Sequence, residues 1–220
     1  MRRTVTLATV FLLGGSSLWA GNNGLWVRVQ FAAGDLNKVP EGWKAAQTGK
    51  GTGSVWKVVA DDSAPSKTSH VLAQTAASSK SMFNLCVLET GAYQDVGVTV
   101  PFKAIAGKED QGGGIVWRYQ DANNYYVARA NPLEDNFRLY KVVKGKRIQL
   151  ATADDIETPS KKWHTIKILH VGDKIECSLN GKKLLEAKDN TIPGAGRVGL
   201  WTKADAQTHF DALMVRDLKK

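Results

Sequence analysis

Residues 112–150 have the sequence GGGIVWRYQDANNYYVARANPLEDNFRLYKVVKGKRIQL, and this stretch decides the fold. Four apolar and aromatic segments follow one another here, at 114–119, 125–130, 137–143 and 147–151. Each is short enough to be a strand, and the residues between them are rich in Asp, Asn, Pro and Gly, which favour turns. The stretch therefore predicts consecutive antiparallel strands in the middle of a sheet.

Alternation along these strands predicts which side chains share a face, because residues two apart in a strand point the same way. The predicted same-face pairs are Tyr125 with Arg129 and Arg138 with Tyr140, while Trp117 and Tyr119 are predicted to face away from Arg118. Each of the first three strands thus presents one arginine among small or aromatic neighbours, and its other side is apolar.

Arginines beside aromatic rings have two interpretations. A guanidinium next to a ring can bind planar polar ligands, carboxylates or sugar hydroxyls. Alternatively, these arginines only cover a solvated sheet face, with their stems lying on the rings. On the first interpretation the candidate ligand-binding residues are Arg118, Tyr125, Arg129, Arg138 and Tyr140, together with Trp201 and Lys203 from a later strand.

The rest of the chain continues the β pattern. Further strands are predicted at 26–31, 55–59, 71–74, 83–88, 93–102, 163–170, 175–179, 183–186, 196–202 and 208–217, with a turn region at 35–43 and loops at 47–54, 61–69 and 104–111. Asn180-Gly181 and Gly172-Asp173 are hairpin signals. No window has convincing amphipathic helix periodicity. Many short strands at this spacing predict an all-β fold, a sandwich or barrel of antiparallel strands.

The N-terminus resembles a secretory signal peptide. Arg2 and Arg3 precede an apolar run at 5–13, and small residues lead to Ala20. This arrangement predicts cleavage after residue 20, with an uncleaved N-terminal anchor as the alternative. No later segment is long and apolar enough to cross a bilayer. We therefore expect a single exported domain at 21–220, located in the periplasm or outside the cell.

The chain is basic, with a formal net charge of +9 that falls to +7 without Arg2 and Arg3, since residues 1–20 contain no acid. Its lysines are scattered in pairs between strands, and no long basic run or nucleic-acid motif occurs. Lysines at turns and edges discourage the edge strands of two sheets from pairing with each other. Because an exported protein meets acidic polysaccharide more readily than nucleic acid, we expect a polysaccharide as partner.

Two cysteines, Cys86 and Cys177, each lie within an apolar predicted strand. Export would permit a disulfide between them. Cys177 alternates with Ile175 and Leu179, which favours a small buried hydrophobic role. We expect two free, buried thiols, although the spacing alone leaves the bridge open.

Several motifs resemble those of a known family. They are the Gly-Ile-x-Trp-Arg strand at 114–118, Trp163-His164, the hairpin from Gly172 into Leu-Asn-Gly at 179–181, the Gly-Arg-Val-Gly-Leu strand at 196–200, and Phe210-Asp211. Together they resemble exported bacterial concanavalin A-like lectin/glucanase domains, and more narrowly the 3-keto-disaccharide hydrolase family. The resemblance implies a jelly-roll sandwich of two curved antiparallel sheets with a carbohydrate-facing concave surface. Fold alone does not fix activity.

No predicted strand contains two carboxylates at the spacing that glycoside hydrolysis needs. Hydrolysis requires two carboxyl groups at a short, defined separation, and retaining enzymes of this fold carry them two or four residues apart on one strand. Asp155 and Glu157 have that spacing but lie in a predicted loop, and Glu134 and Asp135 are adjacent and point apart. Ordinary retaining hydrolysis is therefore not expected, and a site assembled from loops stays open.

Other catalytic chemistries have weaker support. The four histidines show no metal-ligand spacing, and there is no Gly-x-Ser-x-Gly nucleophile elbow. Gly112, Gly113 and Gly114 are not followed by a helix, as a phosphate-binding loop would be. These glycines instead predict a bulge or a close backbone approach.

A structural calcium ion is the one cofactor implied by the resemblance, because sandwiches of this kind often bind one near the chain termini. Calcium prefers carboxylate and carbonyl oxygens. Asp211 matches the family position, and Asp35 could join it if the termini pair. The alternative is that both are ordinary turn or edge acids.

Three function classes follow. The first, which we favour, is an exported module that binds a glycan on its concave face. The second is an enzyme acting on keto-disaccharides or related glycosides through loop carboxylates. The third is a cell-envelope interaction domain without a sugar site.

Overall fold

A computed structural model of the protein describes residues 10–12, 16–21 and 24–219. In this part of the chain eighteen strands and a 3₁₀ turn at Ala33–Asp35 are formed. The strands are β1 Val10–Leu12, β2 Ser16–Gly21, β3 Gly24–Val29, β4 Trp43–Thr48, β5 Trp56–Ala60, β6 His70–Gln74, β7 Phe83–Leu88, β8 Val96–Ala106, β9 Gly113–Asp121, β10 Asn124–Asn131, β11 Asn136–Val143, β12 Lys146–Asp154, β13 Trp163–Val171, β14 Lys174–Leu179, β15 Lys182–Lys188, β16 Arg197–Lys203, β17 Gln207–Phe210 and β18 Leu213–Asp217.

The strands form two antiparallel sheets. The first has eleven strands, in the order β1-β2-β3-β18-β8-β13-β14-β15, with β17 pairing to β8 and β6, and β5 pairing to β6. The second has seven strands in the order β12-β11-β10-β9-β16-β7-β4. Two antiparallel sheets that pack face to face make a β-sandwich. The prediction of an all-β, antiparallel two-sheet jelly-roll sandwich is confirmed.

The stretch that decides the fold forms β9 to β12, which are neighbours in the seven-stranded sheet. The Asp121 carboxylate closes the first turn by accepting hydrogen bonds from the Asn123 backbone N–H (2.7 Å) and the Asn124 side chain (2.9 Å). The Lys144-Gly145 turn pairs Val143 with Lys146. Local turn chemistry therefore closes these hairpins at the turns that the sequence predicted.

The main core lies between the sheets. Val98 and Ile168 contribute from the eleven-stranded sheet, and Ile115, Phe137 and Leu139 from the seven-stranded one. These residues alternate with others that face away, as the period of a strand requires. The close backbone approach predicted at the triple glycine is present, because a methyl group on Gly112 would overlap the Ala130 carbonyl oxygen.

The seven-stranded sheet carries a second buried hydrophobic cluster on its other face. Its members all come from that sheet: Phe83, Leu85 and Val87 on β7, Val116 on β9, Tyr125 and Val127 on β10, Tyr140 and Val142 on β11, and Trp201 on β16. This sheet is therefore apolar on both faces. The outer face must be shielded by its own curvature or by its own side chains.

His170 is a fully buried core histidine on β13 whose Nδ1 accepts a hydrogen bond from Trp117 Nε1 at 2.9 Å. Burial, reinforced by the Arg118 charge, lowers the pKa of His170 from 6.5 to about 4. A lowered histidine pKa means that the neutral form stabilises the fold. This contribution is complete above pH 6.5 and is lost as the pH falls towards 4.

We expect the free energy of unfolding to fall by about 3 kcal/mol between pH 7 and pH 4 on account of His170. Urea titrations at several pH values measure the effect. The variant His170→Gln retains an acceptor for Trp117 but cannot titrate, so its stability should depend less steeply on pH. Superimposable pH dependences of the two proteins would contradict the assignment.

Both cysteines are free and buried, as expected. Cys86 lies on β7 of the seven-stranded sheet and Cys177 on β14 of the eleven-stranded sheet, and both pack in the main core. Burial raises the pKa of each thiol well above its usual range.

Some element boundaries differ from those predicted. β4 was not predicted, and it joins the end of the predicted turn region at 35–43 to the start of the predicted glycine-rich loop at 47–54. The last predicted strand is divided into β17 and β18 by Asp211, whose backbone N–H donates to the Pro101 carbonyl at 3.0 Å.

Of the predicted leader at 1–20, residues 1–9 and 13–15 lie outside the described residues, and β1 and most of β2 occupy the remainder. Within the described residues no helix is long and apolar enough to cross a membrane.

Candidate functional site

The outer face of the seven-stranded sheet is strongly curved. Thr48 on β4 and Tyr125 on β10 are four strand positions apart, a distance of about 19 Å in a flat sheet. Their hydroxyl oxygens nevertheless lie 2.8 Å apart. The sheet must therefore curl towards its outer side, and we call this side the concave face.

An aromatic floor lines the concave face. The Phe83 and Trp201 ring centroids are 5.3 Å apart, and Tyr140 lies on the same face. Arg147, on the edge strand β12, extends over all three rings, with its guanidinium carbon 4.4 Å from the Tyr140 centroid, 5.2 Å from Phe83 and 6.0 Å from Trp201. An arginine stacked on several rings makes cation–π contacts and leaves its edge for hydrogen bonds.

Arg129 is the central cation of the polar part of this face. The strand pairing places it between Gly114 on β9 and Arg138 on β11, and it is only 1 % exposed. Its Nη1 donates to Asn136 Oδ1 at 3.1 Å, and its Nη2 donates to Glu134 Oε2 at 2.9 Å. Because its neighbour on β9, Gly114, has no side chain, the Arg129 side chain is not flanked on that strand.

Glu134 is shared by two arginines, because Arg138 Nη1 donates to the same oxygen at 3.1 Å. Partial burial by itself would raise the pKa of Glu134. The hydrogen bonds from Asn136 and Arg129, with the charges of both arginines, instead hold that pKa at about 2. Glu134 is therefore ionised at any physiological pH and anchors both guanidinium groups.

Asp110 and Lys203 form a second charged pair on this face. The Asp110 carboxylate is 2 % exposed and accepts hydrogen bonds from Lys203 Nζ at 2.9 Å and from Asn131 Nδ2 at 3.2 Å. Burial raises the pKa of Asp110, against the opposing charges of Arg129 and Lys203. A buried carboxylate with a raised pKa beside a cation is a group suited to proton transfer.

The loop that carries Asp110 is held rigidly. The Asp205 carboxylate accepts hydrogen bonds from the backbone N–H groups of Lys108, Glu109 and Asp110, at distances from 2.7 to 3.2 Å. The Gly112 carbonyl also accepts one from Thr208 Oγ1 at 2.6 Å. The position of Asp110 is thus fixed by backbone contacts before any ligand binds.

Six of the seven predicted ligand-binding residues lie on the concave face. They are Tyr125, Arg129, Arg138, Tyr140, Trp201 and Lys203. Tyr125 and Trp201 are buried in the floor, whereas Arg138 and Lys203 are partly exposed at its polar end. Arg129 is buried and paired, so it does not solvate an open sheet surface.

Arg118 does not belong to this group, and the face predicted for it was wrong. A β-bulge at this point, with φ +44° at Arg118, adds a residue to β9 relative to β16. The bulge reverses the alternation: Tyr119 packs on the concave face while Trp117 stays in the core. Arg118 is 1 % exposed and donates to the carbonyls of Gln94, Gly172 and Ile192 at 2.8, 2.9 and 3.0 Å. Its role is structural.

Asp110 and Arg147 were not among the predicted site residues. The two-residue Lys144-Gly145 turn pairs Arg147 with Val142, so hairpin register could have placed Arg147 beside Tyr140. No local pattern in the sequence indicated Asp110, because its partners Asn131 and Lys203 come from distant segments of the chain.

The carboxylates noted in the loops are separated. Glu134 lies on the concave face, whereas the neighbouring Asp135 has φ +44° and accepts the Ile156 backbone N–H through its carbonyl. Asp155 and Glu157 line a different, open cleft of about 370 Å³ with Asn180 and Lys182. The loops therefore place one of these acids, Glu134, beside the arginine cluster.

The residues proposed for calcium do not fit a cation as they are arranged. Asp211 already accepts hydrogen bonds on both oxygens from Ser66, from its backbone N–H and its hydroxyl, each at 2.6 Å. Asp35 pairs with Lys38 at 3.8 Å. Among the residues that the structure describes, no group of three or more His, Cys, Asp or Glu side chains could hold a metal ion. Within the described residues each acid therefore has its own protein partner, Ser66 for Asp211 and Lys38 for Asp35.

Solved structures share the fold at low sequence identity. The carbohydrate-binding module CBM66 from Bacillus subtilis matches with a TM-score of 0.62 and 19 % identity, over 80 % of this chain and 96 % of the module. A putative glycosyl hydrolase from Parabacteroides distasonis matches with a TM-score of 0.50 and 16 % identity, over 81 % and 89 % of the two chains. The exoplasmic/lumenal domain of VIP36, in its Ca2+/Man3GlcNAc-bound form, matches with a TM-score of 0.54 and 10 % identity, over 81 % and 85 %.

Sequence comparison gives a more specific result. No curated protein matches the chain. The model of the 3-keto-alpha-glucoside-1,2-lyase-like domain matches residues 19–216, which is nearly the whole chain and starts within the last two residues of the predicted leader. The resemblance based on the strand and turn motifs is thereby confirmed: the chain belongs to the 3-keto-alpha-glucoside-1,2-lyase-like domain family.

Proposed function

We propose that the protein binds a carbohydrate on its concave face. The observation that carries this proposal is the paired charge cluster of Arg129, Glu134 and Arg138, which lies beside an aromatic floor. Sugars are held in proteins by stacking of their apolar faces on rings and by hydrogen bonds from charged groups to their hydroxyls. The fold shared with a carbohydrate-binding module and a glycan-bound lumenal domain supports the same function.

Arg138 is the best residue for a test, because it is partly exposed and its loss leaves Arg129 paired with Glu134. Replacing a charge-assisted donor with alanine should weaken glycan binding by roughly 1.5–3 kcal/mol. Stability should change by less than about 1 kcal/mol, since exposed ion pairs contribute little. A broad glycan array, followed by titration of the best ligand, measures Arg138→Ala against the wild type.

Lys183→Ala is the matched control. Lys183 also pairs with a carboxylate, Glu186 at 2.9 Å, but lies on β15 of the eleven-stranded sheet. The Lys183→Ala variant should bind the glycan as tightly as the wild type does. A wild-type protein that binds nothing on an array including uronic and sulfated glycans would refute a glycan-binding function, and an Arg138→Ala variant with unchanged affinity would move the site elsewhere.

A second candidate function is elimination from a 3-keto-glucoside, favoured by Asp110 and by the family. A ketone at C3 acidifies the proton on C2. A base that removes this proton forms the C1–C2 double bond, and the group on C1 departs with the bonding electrons and takes up a proton. In this second proposal the buried Asp110 carboxylate acts as that base, and Lys203 or Arg129 stabilises the enolate. Turnover of a 3-keto-disaccharide would distinguish this function from binding alone.

Both candidate functions are consistent with export. The leader predicted at 1–20 would place the protein in the periplasm or outside the cell, where polysaccharides are accessible. Export is therefore part of our proposal. An envelope domain without a sugar site stays an alternative, to be supported only by a failure to bind any glycan.

A further inference from the structure

Two arginines on the concave face have donor groups without acceptors. Among the described residues, Arg129 Nε and Arg147 Nη1 are buried and have no hydrogen-bond partner. Leaving a buried donor unpaired costs about 1–3 kcal/mol, and more for a charged group. Buried donors without a partner are few in native proteins and are explained by strain, an ordered water or a bound ligand, so these two are candidate contacts for a ligand acceptor.

The distribution of charge on this face is uneven. Glu134 is shared by Arg129 and Arg138, and Asp110 accepts from Lys203. In the part of the chain that the structure describes, Arg147 has neither an ion pair nor a side-chain hydrogen bond, and its guanidinium lies over aromatic rings, within reach of the charges of Arg129, Asp110 and Glu134. The face therefore has four cationic groups and two carboxylates, and Arg147 is the cation that pairs with neither carboxylate.

The two incompletely paired guanidinium groups lie around one ring. The Tyr140 centroid is 4.4 Å from the guanidinium carbon of Arg147 and 6.0 Å from that of Arg129. Arg147 is half-buried, and no hydrogen bond within the described residues fixes its head group. It can therefore turn towards a ligand while its stem stays on the floor. A guanidinium fork matches the two oxygens of a carboxylate or sulfate.

We propose that the carbohydrate bound on the concave face carries an anionic oxygen group, a carboxylate or a sulfate, and that Arg147 is the residue that selects it. This inference rests on the proposed function and names its ligand class. Arg147 contacts the anionic group, and Arg129 provides the second donor. Glu134 keeps Arg129 in place by accepting the hydrogen bond from its Nη2 at 2.9 Å.

Paired probes test the inference. We would measure, by calorimetric titration at low and moderate salt, binding of oligogalacturonate against its methyl ester, and of dextran sulfate against dextran. Each anionic probe differs from its partner in charge. The wild type should bind at least one anionic probe about tenfold or more tightly than its neutral partner, and added salt should reduce this preference. The two probe pairs distinguish carboxylate from sulfate recognition.

Variants at position 147 assign the effect. Arg147→Met retains a long apolar side chain over the rings and should abolish the preference for the anionic partner. Arg147→Lys retains the charge without the guanidinium fork, and it should retain part of the preference for the anionic probe. Lys146→Met removes the same charge from the neighbouring exposed residue on β12 and should behave as the wild type. Equal losses in Lys146→Met and Arg147→Met would show a general charge effect and overturn the proposal.

The outcomes separate the two proposals. Binding of neutral glycans that depends on Arg138, without any preference for an anionic partner, overturns the role of Arg147 and leaves the proposed function intact. An Arg147→Met protein that melts at a lower temperature but retains the full preference shows that Arg147 only stabilises the aromatic floor, and it also overturns the role. Failure to bind any probe or array glycan overturns both proposals.

Discussion

Replacing Arg118 with alanine is expected to lower the free energy of unfolding by about 3–5 kcal/mol, a large part of the stability of a domain of this size. The buried guanidinium donates to three backbone carbonyls that belong to separate segments, at Gln94, Gly172 and Ile192. Removing it leaves these carbonyls without their donor and opens a cavity at a fully buried position. Denaturant titration measures the change.

Arg197→Ala is the control for this experiment. Arg197 is exposed and lies on β16 opposite Tyr119, next to the same bulge, so its removal should cost less than about 0.5 kcal/mol. An unfolding midpoint for Arg118→Ala equal to that of the wild type would show that the three carbonyls are not stabilised by this residue. It would also return Arg118 to the list of candidate ligand-binding groups.

The variant Gly112→Ala should be destabilised by about 3–5 kcal/mol, or should fail to accumulate as a folded protein. Two costs add here. The backbone at Gly112 has φ +98°, which an L-residue rarely adopts, and the added methyl group would overlap the Ala130 carbonyl oxygen. That oxygen belongs to β10 and cannot move without disturbing its ladder.

Gly181→Ala separates the two costs. Gly181 has a similar φ of +83°, but nothing lies within 4 Å of the position that its methyl group would take. It should therefore show the conformational cost alone, about 1–2 kcal/mol. Thermal or denaturant unfolding of the two variants side by side measures the difference. Equal destabilisation would mean that the backbone approach at Gly112 adds nothing.

Gly112 also connects stability with the site. It follows the loop that carries Asp110, and its carbonyl accepts the Thr208 hydroxyl. A shift of this glycine would move Asp110 relative to Lys203. The Lys203 Nζ donates a hydrogen bond to the Asp110 carboxylate at 2.9 Å. A folded Gly112→Ala protein, if recovered, is therefore expected to lose ligand binding or turnover as well as stability.

The amino-acid sequence by itself determined the hairpins from β9 to β12 and the faces of β10 and β11. Turn residues such as Lys144-Gly145 fix the register locally, and the two-residue period then places Tyr125 with Arg129 and Arg138 with Tyr140. The buried cysteines and the all-β architecture followed from the same local patterns. Each of these features depends on residues close together in the chain.

Only the tertiary structure decided where Arg118, Asp110 and Arg147 belong. One bulged residue reverses the alternation at Arg118, and its three acceptors come from segments 24 to 74 residues away. Asp110 meets Lys203 across 93 residues, and Arg147 reaches Trp201 because the sheet curls. Curvature and bulges arise from the packing of whole sheets, so contacts that depend on them cannot be obtained from local turn and strand patterns.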